Sequence, residues 1–211
     1  MTTAKFRRRK EARPGEIVEA ALALFSEKGF AATRLDEIAA RAGVSKGALY
    51  LYFATKEELF RAVVTQAVAA DLERVGAFAR AHQGTFAELL STVVRLLART
   101  AATGSIGPMA KAVISESRNF PELARHWHDA VVAPMLSLMA AAIARAQAKG
   151  EVRPGDPRLY AMQVASPLIM GMLWRETFVP GGAEPFDLGE LAEQHVRTLL
   201  HGLAERPDGA P

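Results

Sequence analysis

Apolar residues recur along the chain at intervals of three and four, and no segment alternates with period two. Ile17, Ala20, Ala21, Leu24 and Phe25 share one helical face, and Gly29 marks its end. A short helix over 35–42, with Thr33 able to cap it, stops at Gly43, and a second starts after Ser45. From Lys56 to about His82 one stripe carries Leu59, Phe60, Val63, Val64, Ala67, Val68, Leu72 and Val75. Capping signatures open later helices: Thr85 with Glu88, Asn119 with Glu122, Asp156 before Pro157, and Asp187 with Glu190. The last helix puts Leu188, Leu191, Ala192, Val196, Leu199, Leu200 and Leu203 on one side. The pattern predicts an all-α protein of about nine helices without an internal repeat.

Composition narrows the class. The chain has 211 residues, half of them hydrophobic, which supports a buried core and excludes a disordered polymer. It has no cysteine, so disulfides, thiolate zinc sites and cysteine nucleophiles are excluded. The longest charge-free runs, 130–144 and 159–174, are shorter than the ~20 apolar residues of a membrane span, and each contains a proline. No secretory signal is visible, because Glu16, Glu19 and Glu27 interrupt the first apolar stretch. The expected location is the cytoplasm.

Charge is unevenly spread. The net charge of +3 resides entirely in residues 1–60, which hold eleven Lys/Arg against eight Asp/Glu. Six basic residues, Lys5, Arg7, Arg8, Arg9, Lys10 and Arg13, fall in the first fourteen against Glu11 alone. Such an arm suits a polyanion, nucleic acid before acidic membrane, although a solubilising tail has the same composition. All methionines after Met1 and both tryptophans lie beyond Thr100. The expected division is a basic arm at 1–12, a small polar-faced unit at 13–58 and a larger apolar unit at 59–206.

Residues 33–59, TRLDEIAARAGVSKGALYLYFATKEEL, carry the functional signal. Two short helices joined by a tight glycine turn form a helix-turn-helix, whose second helix enters the major groove. Ser45 caps that second helix, which places Lys46, Gly47 and Ala48 at its reading end. Tyr50 and Tyr52 have hydroxyls for phosphates, or Tyr50 packs on the groove wall, and Leu49 and Phe53 point to the core. The Thr55–Glu58 spacing caps a further helix and puts Lys56 at its N-terminus, where phosphate is favoured.

The same residues are similar to the DNA-binding domain of TetR-type bacterial transcriptional regulators. The likeness rests on Thr33, Ile38-Ala39, Ala42-Gly43-Val44-Ser45, Gly47, Tyr50-Leu51-Tyr52-Phe53 and Lys56-Glu57-Glu58-Leu59, with 17–25 as the preceding helix. It implies that Thr33, Tyr50, Tyr52 and Lys56 touch the DNA backbone, while Lys46, Gly47 and Ala48 approach bases. Arg34 is a further phosphate candidate, or a solvated charge. Leu51 stands where a polar or aromatic residue is frequent, and Ala54 where Pro or Lys is, which leaves the operator open.

Beyond residue 60 the resemblance is architectural: a variable helical domain that dimerises and binds a small molecule. The apolar run 159–174 and the last helix suit a dimer interface, with ordinary monomer core as the alternative. Phe78, Met109, Val113, Trp127, Val131, Met135, Met139, Met162, Met170 and Trp174 are candidates for an apolar effector pocket, or for core. His126 and His128 are two residues apart, which points them to different sides of a helix and away from a metal pair. No catalytic motif, cofactor motif or metal set is present. The expected function is a homodimeric repressor that binds a roughly palindromic double-stranded operator and is released by a small hydrophobic effector. The alternative is a helix-turn-helix regulator without an effector, gated by a partner or acting as an activator. A membrane-surface role for the arm lacks an adjacent apolar face.

Overall fold

The computed structural model describes the backbone of residues 3–104 and 106–203, and side chains outside 3–13, 67–72 and 103. The helices are α1 (Thr3–Lys28), α2 (Leu35–Arg41), α3 (Lys46–Tyr50), α4 (Lys56–Val63), α5 (Ala70–Ala81), α6 (Phe86–Thr103), α7 (Ile106–Glu116), α8 (Pro121–Trp127), α9 (Ala133–Ala148), α10 (Pro157–Thr177) and α11 (Leu188–Leu203). π-helical turns at Val64–Ala69 and His128–Val132 join α4 to α5 and α8 to α9, leaving nine continuous helical stretches among the described residues besides a single 3₁₀ turn at Val179–Gly181. α1 takes in most of the segment expected as an arm, whose side chains lie outside the described residues. The C-terminal segment 204–211 also lies outside them.

Local chemistry accounts for most boundaries. Gly43 has φ +65°, a left-handed conformation that glycine adopts without strain, and it turns the chain between α2 and α3. Thr85 and Glu88 close a reciprocal capping box at α6: the Glu88 N–H donates to the threonine hydroxyl and the Thr85 N–H to the carboxylate. Asp156 accepts from the Arg158 N–H, and Asp187 from the N–H groups of Gly189 and Glu190. The expectation at Asn119 is corrected. α8 starts at Pro121, so Phe120 holds the capping position and Asn119 lies one residue outside it.

The chain forms two compact units: residues 1–70 with 108–127, and residues 71–107 with 128–211. The first differs from the expected 13–58 because it takes in the preceding segment, the rest of α4 and the turn after it, α8 and most of α7. Phe120 meets the Phe30 ring edge-on, with centroids 5.1 Å apart, and the Ala31 N–H donates to Glu116. Its core includes Ile17, Ala21 and Phe25 from α1, Phe30 after it, Ile38 from α2, Leu49 from α3, Leu59, Phe60 and Val63 from α4 and Met109 from α7.

In the second unit, Val94 and Ala98 of α6, Ile143 and Ala146 of α9, Val164 and Leu168 of α10 and Val196 of α11 share one core. At Gly171 a Cβ would come within 2.6 Å of the tip of the Leu188 side chain, so a larger residue there would displace that leucine from between α10 and α11. The continuous helix Pro121–Ala148 has the length and apolar composition of a membrane span. The charge-free runs did not show this, because they stop at Asp129. Met139, Ala142, Ile143 and Ala146 on that helix are buried in protein core, although only 22% of its most apolar stretch is buried, and core and spanning helices share the same composition.

Candidate nucleic-acid interface and effector cavities

α2, the Gly43 turn and α3 hold the candidate reading surface. The Ser45 hydroxyl accepts from the Ala48 N–H at 3.2 Å and starts α3. Leu49 is fully buried and Phe53 nearly so, and this anchoring turns the rest of α3 outward. Ser45, Lys46, Gly47 and Tyr50 are exposed, while Ala48 and Tyr52 are half-buried. The Lys46 ammonium lies 2.9 Å from Asp36 of α2, which holds its pKa above the ordinary lysine value. A Cβ at Gly47 would meet nothing within 4 Å, so neither space nor φ inside this chain requires glycine there. Leu51 is 83% exposed.

Two expected DNA contacts turn inward. Thr33 is 1% exposed, and its hydroxyl donates to the carbonyls of Gly29 at 2.7 Å and Leu24 at 3.2 Å. It therefore ties the end of α1 to the turn and offers no proton to a phosphate. It is also not the cap of α2: Arg34 holds that position, with its N–H bonded to Glu37 and its side chain exposed. Lys56 donates to three carbonyls, Phe30 at 2.7 Å, Ala31 at 3.0 Å and Thr33 at 3.0 Å, and sits 4.5 Å from the Phe30 ring centre. Those bonds use all three ammonium protons. Burial pushes its pKa down, opposed by Glu57 and Glu116. The α4 cap is itself occupied: Thr55 accepts from the Glu58 N–H, and Glu58 from the Ala54 N–H.

Lys56→Met is accordingly expected to lower stability by about 2 kcal/mol, the scale of charged hydrogen bonds lost. The slope of log DNA affinity against log salt should stay unchanged, as measured by urea melts and by binding across a salt series. A slope reduced by about one would restore the phosphate role.

Among the described residues of the second unit are two small apolar cavities. One, about 40 Å³, is lined by Leu97, Ala101, Val131, Met135, Leu168 and Met172 among others. The other, about 30 Å³, lies among Phe86, Leu90, Leu138, Met139 and Ile143. The ten pocket candidates do not gather in one place. Val131 and Met135 line the first cavity and Met139 the second. Met109, Val113 and Trp127 are buried in the first unit. Phe78, Met162 and Met170 are exposed, and Met162 edges an open groove beside Leu159 and Arg158. Trp174 packs against Phe178 and Phe186, and its indole N–H donates to the Glu184 carbonyl. Among the described residues no group of three or more His, Asp or Glu is placed to hold a metal ion.

The sequence profile of the bacterial regulatory proteins of the tetR family matches residues 17–63, and that of the tetracyclin repressor-like C-terminal domain matches 80–183. The chain belongs to the TetR family. It is 35% identical over 82 residues to the helix-turn-helix-type transcriptional regulator YfiR of Bacillus subtilis, which covers 39% of this chain and 40% of YfiR. The chain thus matches less than half the length of that relative. A TetR-family regulator from Pseudomonas syringae superposes with a TM-score of 0.68 at 27% identity, covering 92% of this chain and 98% of its own. The Thermus thermophilus TetR-family repressor FadR, solved with lauroyl-CoA, gives 0.64 at 28% identity, covering 94% and 99%.

As a TetR-family member the chain is a DNA-binding transcriptional regulator, and α2–α3 is its helix-turn-helix. Sequence reasoning passed over three residues around this site. Asp36 reaches Lys46 from ten positions away, and Glu116 and Phe120 reach the Phe30 turn from another part of the chain. The KEEL string points to Lys56 as a phosphate contact, but its partners in the structure are carbonyls of a turn more than twenty residues earlier.

Proposed function

We propose that this chain is a homodimeric, cytoplasmic repressor that reads a roughly palindromic duplex with α3 and is released by a small apolar effector. The observation that carries the reading is Gly47: an exposed glycine at the start of α3, unneeded by the fold, leaves backbone room for a base edge. Arg34, Ser45, Lys46, Ala48, Tyr50 and Tyr52 surround it as contacts to phosphate or base, and the basic segment 1–12 adds further phosphate contacts. Leu159, Met162 and Met170 form an exposed apolar line on α10, which favours burial against a second copy.

The cavity among Leu97, Met135 and Met172 has an apolar lining that suits a hydrocarbon group, and the ligand of the Thermus neighbour, lauroyl-CoA, carries one in its acyl chain. It is small, so entry requires Met135 and Met172 to move aside, which their flexible thioether chains allow. The same smallness favours the second reading, a regulator without an effector.

Lys46→Ala and Tyr50→Phe are each expected to weaken binding to a duplex selected by the protein, Lys46→Ala by about tenfold, with unchanged melting temperature. Unchanged affinity in both variants would remove α3 from the interface. A thermal-shift screen with hydrocarbon and acyl-chain probes, followed by DNA release, separates the two effector readings. A probe that stabilises the protein and frees the duplex supports gating, and a screen with no such probe favours the second reading.

A further inference from the structure

Lys46 is the one charged side chain of α3, and Asp36 of α2 holds it at 2.9 Å through one carboxylate oxygen and 3.1 Å through the other. Both side chains remain about half in solvent, so the pair lies on the reading surface itself. The other carboxylates of this face are committed elsewhere. Glu37 accepts from Lys28 and from the Arg34 N–H, and Glu27 accepts from Arg41. Among the described residues the Asp36 side chain has Lys46 as its hydrogen-bond partner.

A lysine ammonium is a point charge on a flexible four-carbon stem, and untethered it settles on any phosphate within reach. Such a contact adds affinity without sequence information. A carboxylate on the neighbouring helix restricts that freedom and repels phosphate oxygens. It takes one or two of the three ammonium protons and leaves the remainder for an acceptor aligned with the groove, such as guanine O6 or N7. An acid in the first turn of α2 also favours the helix dipole, but that benefit needs no contact with Lys46.

We propose that Asp36 is a specificity-determining positioning residue, one that steers Lys46 to a base acceptor and away from the DNA backbone. The inference rests on α3 being the recognition helix. It makes the acidic residue of α2 a contributor to discrimination at a cost in total affinity.

The test uses a duplex enriched by the wild-type full chain from a random-sequence pool, and the same duplex scrambled. Binding to both is measured across a salt series for wild type, Asp36→Asn, Asp36→Glu, Lys46→Ala and the Asp36→Asn/Lys46→Ala pair. With Asp36→Asn the scrambled duplex should bind more tightly and the salt slope should steepen by about one. The preference for the selected duplex should fall about two- to fivefold, the scale of one exposed ion pair. Asp36→Glu should restore the preference, and in the Lys46→Ala background Asp36→Asn should leave it unchanged. Melting curves record any loss at the start of α2 separately. An unaltered preference in Asp36→Asn, or the same change with and without Lys46, overturns the inference while the recognition-helix reading stands. Failure of the wild-type chain to enrich any duplex overturns both.

Discussion

Phe30→Ala is expected to unfold the DNA-binding unit at temperatures where the second unit remains helical. Phe30 is fully buried, and its ring centre lies 5.4 Å from Phe25, 5.5 Å from Phe60 and 5.1 Å from Phe120. It therefore joins α1, α4 and the approach to α8 at one point. Its carbonyl and ring also receive the Lys56 ammonium. Truncating a buried phenylalanine costs about 3–5 kcal/mol through lost transfer energy and the cavity left behind. That is a large fraction of the roughly 5–15 kcal/mol that holds a domain folded. Denaturant melts followed by circular dichroism should show an early transition, and DNA binding should disappear with it. Phe30→Leu, which keeps most of the volume, should recover much of both. A loss below about 1 kcal/mol in Phe30→Ala would show that the aromatic cluster is not what holds the unit together.

The Gly47 prediction runs in opposite directions for stability and function. A Cβ there meets nothing within 4 Å and the backbone has no positive φ, so alanine fits without strain. Gly47→Ala is expected to stabilise the chain by up to about 1 kcal/mol, because alanine loses less backbone entropy than glycine in a helix. Gly47→Gln should fold equally well yet bind the selected duplex about a hundredfold more weakly, because its side chain fills the space a base edge needs. Melting temperature and gel-shift titration on the same preparations read the two effects independently. Retained affinity in Gly47→Gln would mean that α3 does not approach DNA at this residue.

Much of the site is readable from the residue string because helix starts, stops and caps are local. Ser45 and Ala48 lie three positions apart, as do Thr85 and Glu88, and each pair bonds as its spacing predicts. Gly43 ends α2 because a left-handed residue is needed at that position. The burial of Leu49 and Phe53 follows from helical periodicity, and with it the outward face of Lys46, Gly47 and Tyr50.

Thr33 and Lys56 show where that legibility stops. Each is a polar residue at a helix start, a place where phosphate contact and internal bonding look alike in sequence. For Thr33 the choice depends on the carbonyls of Gly29 and Leu24, four and nine residues back where the chain turns out of α1, and for Lys56 on carbonyls up to 26 residues away, brought near by the packing of α1 against α4. The same holds for Phe30, an isolated aromatic after Gly29 with no periodic partners, and for α8, whose membership of the first unit depends on Phe120. The scattered pocket candidates follow the same rule. Methionine and tryptophan are apolar wherever they occur, and only packing places Met135 at a cavity and Met170 on the surface. The sequence by itself determined the helices, most of their caps and the helix-turn-helix, since these depend on residues within one or two turns of each other. The tertiary structure decided which polar groups of that motif face inward, which helices complete its unit and where space remains, since these depend on long-range contacts that have no period in the chain.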